Sequence, residues 1–153
     1  MRQIAIVLSA TVLVACAKKD AEPAADTTPA SMDQPAALNL ADLAGKWRVE
    51  VAAENNDSTL VTYEMTATAD TSGWTMTFPG RQPVPIRVLS VAGDSVVSEV
   101  GPFESALRPG VQVSTWSVMR LRGDRMMGRT TARYAVGTPD SVVQLRSRGQ
   151  RVQ

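Results

Sequence analysis

Few side chains in this protein can do covalent or acid–base chemistry. Its 153 residues include one cysteine, Cys16, and no histidine. Without histidine there is no Ser-His-Asp or Cys-His constellation and no imidazole base, and the commonest metal ligand is missing. A single thiol builds neither a disulfide nor a zinc cluster. Carboxylates remain, and a hydrolase working with them alone would need two acids converging in one cleft. Glu64, Glu99 and Glu104 are the ones to check. No catalytic residue, metal or cofactor is expected, and the chain reads as a non-enzyme.

The position of Cys16 has its own meaning. Arg2 supplies a positive start, and Ile4 to Ala15 is an apolar run broken only by Ser9 and Thr11. That run fits the apolar core of a secretory signal and falls short of the roughly 20 residues of a membrane-spanning helix. It ends in Leu13-Val14-Ala15-Cys16, which resembles the lipobox of bacterial lipoprotein signal peptides. The resemblance implies that residues 1–15 are removed and that Cys16 becomes an acylated N-terminus seated in the lipid bilayer. More than one acyl chain makes such an anchor stable. Residue 17 is alanine rather than aspartate. In the Gram-negative lipoproteins that the signal resembles, this implies a cell-envelope protein on the outer membrane, facing the periplasm.

Residues 16–37 follow as a tether. AEPAADTTPASMDQPAA has too little apolar mass to offset the entropy of ordering, and Pro23, Pro29 and Pro35 stiffen it towards an extended chain. The globular domain is expected over 38–148, with 149–153 as a tail. Asn39 caps a short helical turn through Leu40–Ala44, which Gly45 ends.

Beyond Gly45 the pattern has period two. Trp47, Val49, Val51 and Ala53 alternate with Lys46, Arg48, Glu50 and Ala52, and Val61, Tyr63, Met65 and Ala67 alternate with Leu60, Thr62, Glu64 and Thr66. Turn signals at 54–58, 70–73, 79–83, 93–94, 123–124 and 137–140, and a longer loop at 101–110, divide the rest into short Thr- and Val-rich runs. The spacing predicts an all-β domain of about eight strands. No helical crossover separates them, so consecutive antiparallel hairpins are the simplest topology. Closure into a small up-and-down barrel would remove the two open edges.

Leu43-Ala44-Gly45-Lys46-Trp47, a helical turn running into Gly-x-Trp on the first strand, resembles the entry motif of lipocalins and related calycin-type barrels. The Gly123–Gly128 hairpin is also similar to those of bacterial lipocalin-like domains. The resemblance implies barrel closure by Gly45 and Trp47, with a late basic residue, Arg146 or Arg148, across the indole. It further implies a non-enzymatic domain that binds a small apolar or amphipathic molecule. The alternative is a side-chain-filled barrel whose outer face or mouth loop binds an envelope protein or polymer.

Charge is distributed unevenly. Residues 101–153 hold nine arginines against three acids, and residues 17–100 hold six bases against twelve acids. Arg129, Thr131 and Arg133 share one face of a strand, and Gln144, Arg146 and Arg148 share a face of the next. Turned inward they would line a polar pocket. Turned outward they would form a basic surface for lipid head groups or anionic polymers, because arginine matches carboxylate and phosphate geometry. Otherwise they are solvated strand faces. Phe103 and Leu107 belong to the long loop and either contact a ligand or cap the core. Trp74 and Trp116 are expected as core or barrel-lining residues, with ligand stacking as the alternative. The methionines read as core gap-fillers. Nucleic acid is not an expected partner, because the chain has no recognisable binding motif. The domain reads as a monomer.

Overall fold

The computed structural model describes residues 37–153. The expected signal segment, Cys16 and all but the last residue of the expected tether lie outside the described residues. The described chain begins with a helical turn, α1 (Leu40–Leu43), followed by β1 (Gly45–Ala53), β2 (Thr59–Ala67), β3 (Thr75–Thr77), β4 (Val84–Ala92), β5 (Ser95–Glu104), β6 (Gln112–Arg122), β7 (Arg125–Tyr134) and β8 (Val142–Arg151). Among the described residues no helix is long and apolar enough to cross a membrane.

Every strand pairs antiparallel with the next in sequence, and β8 pairs with β1, so the sheet closes into an eight-stranded barrel. The closing register runs from Trp47 opposite Arg151 to Ala53 opposite Leu145. Two hairpins turn on Gly93 and Gly123, whose φ angles of 56° and 61° are left-handed conformations that suit glycine in tight reversals. Closure pairs β8 with β1 and so removes the two end strands' open edges; only beside the three-residue β3 are β2 and β4 left partly unpaired.

The two-residue period of the sequence becomes the inside and outside of the barrel. Trp47, Val49, Val51, Met65, Met76, Ile86, Val96, Val100, Val113, Met119, Met126, Ala132, Tyr134 and Leu145 are all buried in one apolar cluster. Leu43 of α1 is fully buried and plugs one end.

Three segment boundaries differ from the sequence reading. The loop expected at 101–110 is shorter, because β5 continues through a register shift between Val100 and Phe103 to reach Glu104. Gly101 makes this shift feasible: its φ is 109°, and a Cβ there would stand 2.7 Å from the Val113 carbonyl oxygen. At the other terminus β8 runs to Arg151, so 149–151 is strand rather than tail. β7 ends at Tyr134, two residues short of the span that the expected turn at 137–140 leaves for it.

Candidate functional site

The α1 end of the barrel is sealed. Asn39 caps α1, its side chain accepting from the Ala41 amide at 3.0 Å. The Trp47 indole N–H donates to the Leu43 carbonyl at 2.7 Å. Arg151 lies over the Trp47 ring at 4.3 Å and donates to the carbonyls of Ala44 (2.5 Å) and Asp42 (2.6 Å). Glycine suits this close-packed cluster. Gly45 has φ 124°, and a Cβ there would stand 2.9 Å from the Arg151 guanidinium; a Cβ on Gly149 would meet Met126 at 2.8 Å. The expected residues Gly45 and Trp47 both sit at this sealed end, and the arginine over the indole is Arg151 and not Arg146 or Arg148. The cause is strand parity. Trp47 points inward, and on β8 the inward positions are Leu145, Ser147, Gly149 and Arg151. Residues 146 and 148 face the other side.

The opposite end forms a narrow mouth. Phe78 stacks on Phe103 at 5.9 Å and meets Tyr63 edge-on at 5.6 Å. The loop after β5 folds over this end. Buried Ser105 accepts from the amides of Leu107 and Arg108, both at 3.0 Å, and Arg108 lies over Tyr134 at 4.2 Å while pairing with Asp140 at 3.0 Å. The Asp140 carboxyl is held below the usual range by its hydrogen bond from Thr138, with Arg108 assisting. Phe103 and Leu107 thus line the mouth and cover the core together.

Beneath the mouth the interior retains a cavity of about 70 Å³, lined by Met65, Met76, Val100, Met119 and Leu145 and by the hydroxyls of Ser98, Ser117, Thr130 and Ser147. Ser117 and Thr130 bond to each other at 2.8 Å, and Thr130 reaches Ser147 at 3.5 Å. An engineered cavity of about 150 Å³ holds one benzene, and pockets for drug-sized molecules start near 300 Å³. The methionines fill most of the space. Burial pushes the Tyr63 phenol up to about 12, so it stands at the cavity wall as a neutral hydroxyl.

The second region is the outer face of β6, β7 and β8. Trp116 belongs here: it is 45% exposed, where the sequence suggested core. It shares its strand face with Arg120 and Arg122, whereas Val113, Thr115, Ser117 and Met119 turn inward. Trp74 is buried as expected, its indole N–H donating to the Asp70 carbonyl at 2.8 Å. Arg129 and Arg133 are exposed on the outside of β7. None of β6, β7 or β8 contains an acid, and their outward positions carry seven arginines.

The acids that pair with these arginines come from the turns at the ends of this face. In the turn between β4 and β5, Asp94 pairs with Arg120 at 3.2 Å and Arg122 at 2.6 Å. Its carboxyl is lowered by the Ser95 hydroxyl first and by Arg122 second. In the turn between β1 and β2, Asp57 pairs with Arg146 and Arg148, both at 3.0 Å. Arg146 also donates to the carbonyls of Ala53 and Asn56, so its role is to tie down this turn. Between the arginines a groove of about 670 Å³ runs along the face, lined by Trp116, Met127, Arg129 and Arg146 among others.

The three carboxylates singled out for acid–base work are each engaged locally. Glu64 pairs with Lys46 at 3.1 Å, Glu99 pairs with Arg87, and Glu104 accepts from the Gly110 amide at 3.3 Å. Among the described residues no group of three or more acids or other ligating side chains is placed to hold a metal ion. Compared with known proteins, the chain matches no family model, no curated protein and no solved structure.

Proposed function

We propose that this protein is a non-enzymatic envelope lipoprotein, anchored through Cys16, whose filled barrel is a scaffold presenting the arginine face of β6–β8 to an anionic partner. One observation carries this: three adjacent strands hold seven outward arginines and no acid, around a groove of about 670 Å³. An interior of about 70 Å³ supports a filled barrel over a ligand carrier. Clustered arginines raise the local concentration of anions and give an association that weakens with salt. The cysteine-terminated signal supports the anchor, and the proline-spaced segment behind it supports a domain held off the outer-membrane surface, on its periplasmic side.

A second reading is favoured by the mouth. Phe78, Phe103 and Leu107 offer an apolar rim to the end of a small amphipathic molecule. Native mass spectrometry on chain purified from its own envelope separates the two. A small molecule that co-purifies and is released by filling the mouth through Ala106→Trp, another lining position, favours the mouth. Apo protein carrying an acidic partner that salt removes favours the face. The anchor is tested by Cys16→Ser, which should move the chain from the membrane to the wash fraction; retention in the membrane would refute that part.

A further inference from the structure

The register across β6–β8 sets out the face in rows. Trp116 stands opposite Thr131, which stands opposite Gln144; Val118, Arg129 and Arg146 form the next row. On the other side of the Trp116 row, Ser114 stands opposite Arg133. Along β7, Arg129 and Arg133 therefore flank the Trp116 row at two-residue steps, about 7 Å to each side.

Two features make these arginines unusual. Arg129 is directly opposite Arg146, and like charges directly opposite destabilise a sheet. Their nearest neutralisation is also weak. Arg129 meets Glu54 only at 3.6 Å with 79% of its side chain exposed, and among the described residues Arg133 has no carboxylate within 4.0 Å. Local pairing rules of this kind are the ones natural sequences break at functional sites. Beside them is an exposed indole. The acid on its other flank, Glu99, is occupied by Arg87. The Thr131 hydroxyl donates to the Gln144 side-chain oxygen at 3.0 Å, which aims the amide hydrogens of Gln144 away as free donors.

Resting on the reading of this face as the binding surface, we propose that its occupant is a carboxylate-bearing polysaccharide strand. A sugar ring stacks its apolar C–H face on Trp116, its hydroxyls meet Gln144, and carboxylates on it and its neighbour are taken by Arg129 and Arg133. The indole supplies flat amphipathic area, and the guanidinium fork matches a carboxylate with two parallel hydrogen bonds. An anionic bilayer suits the face less, because exposed Asp57 and Glu54 project at one end of it and would be pressed against like charge. An acidic peptide suits it less as well. The strands of this face are each paired on both sides and offer no edge for main-chain pairing.

The test uses the full acylated chain in detergent micelles, with Trp fluorescence as readout. Of its three tryptophans, Trp47 and Trp74 are buried and Trp116 is exposed. Titration with a galacturonate hexamer should quench the exposed emission and give an affinity that falls with added salt. Trp116→Ala and Arg129→Gln should each weaken calorimetric binding by about tenfold while leaving the melting curve in place. A hexaglutamate peptide should bind at least about tenfold more weakly than the sugar. Equal binding of hexaglutamate, with Trp116→Ala neutral, overturns the polysaccharide proposal and leaves the anionic-face reading standing. Trp116-dependent binding of the Cys16→Ser chain to phosphatidylglycerol vesicles, without binding to the hexamer, also overturns it in favour of a membrane surface. Absence of binding to all three anions overturns both.

Discussion

The two arginine environments of this barrel are opposites. At the α1 end one guanidinium, Arg151, is fully engaged: it covers the Trp47 ring and donates to two carbonyls that a short helical turn leaves over. On the outer face of β6–β8, arginines stand opposite arginines, and the acids that pair with them come from turns at the edges. Trp47 and Trp116 repeat the contrast, one with 0% exposure and the other with 45%. Arginine beside tryptophan thus means two different things in one sheet. Where the guanidinium's donors are satisfied within the chain the pair is structural, and where they are not the pair is available for binding.

The largest effect expected from this contrast is on stability. Trp47→Ala should cost about 3–5 kcal/mol in urea unfolding, the range for emptying a large aromatic from a packed core. Trp116→Ala should stay within about 0.5 kcal/mol. Equal losses for the two would erase the distinction. Arg151→Ala should cost about 1–2 kcal/mol, from the cation–π contact and the two carbonyl bonds it removes. Arg151→Lys should recover only part of that, since an ammonium cannot both cover the ring and fork to Ala44 and Asp42. Gly149→Ala at the same end should cost about 1–2 kcal/mol by pressing on Met126.

On the face the sign reverses. Arg129→Thr removes a like-charge cross-strand pair and introduces a good strand former, so thermal unfolding should show no loss or a gain of a few tenths of a kcal/mol. A clear loss there would mean that Arg129 holds the fold, as Arg151 does. The smallest effect is titrational. The folded-state value of Tyr63, raised to about 12 by burial, lies above its ordinary value of 10.0. Its contribution to stability is therefore complete below pH 10 and lost as pH rises towards 12. Phenolate absorbance should show one late step that Tyr63→Phe removes.

Much of the barrel was legible in the chain. The alternation through Trp47–Val51 and Val61–Ala67, the glycine-led turns and the absence of crossover helices imply consecutive antiparallel strands, and eight of them avoid open edges by closing. The glycine before Trp47 was legible as a closure residue. Its arginine partner was misassigned, because closure registers residues about a hundred positions apart, which no local pattern specifies. Trp116 was misplaced although a signal existed: its period-two companions Arg120 and Arg122 mark an outward face. The shift in β5 left only Gly101-Pro102 as a trace, which reads equally well as a loop.

By itself, the amino-acid sequence determined the excluded chemistry, the strand periodicity and the charge asymmetry between the halves, because composition and a two-residue period are local properties. The tertiary structure decided which parity faces in, which arginine meets Trp47, that the interior narrows to about 70 Å³, and that seven arginines gather on one outer face. The physical reason is closure. Joining β8 to β1 sets a single register for the whole sheet, and that register alone turns alternating residues into a packed inside and a charged outside.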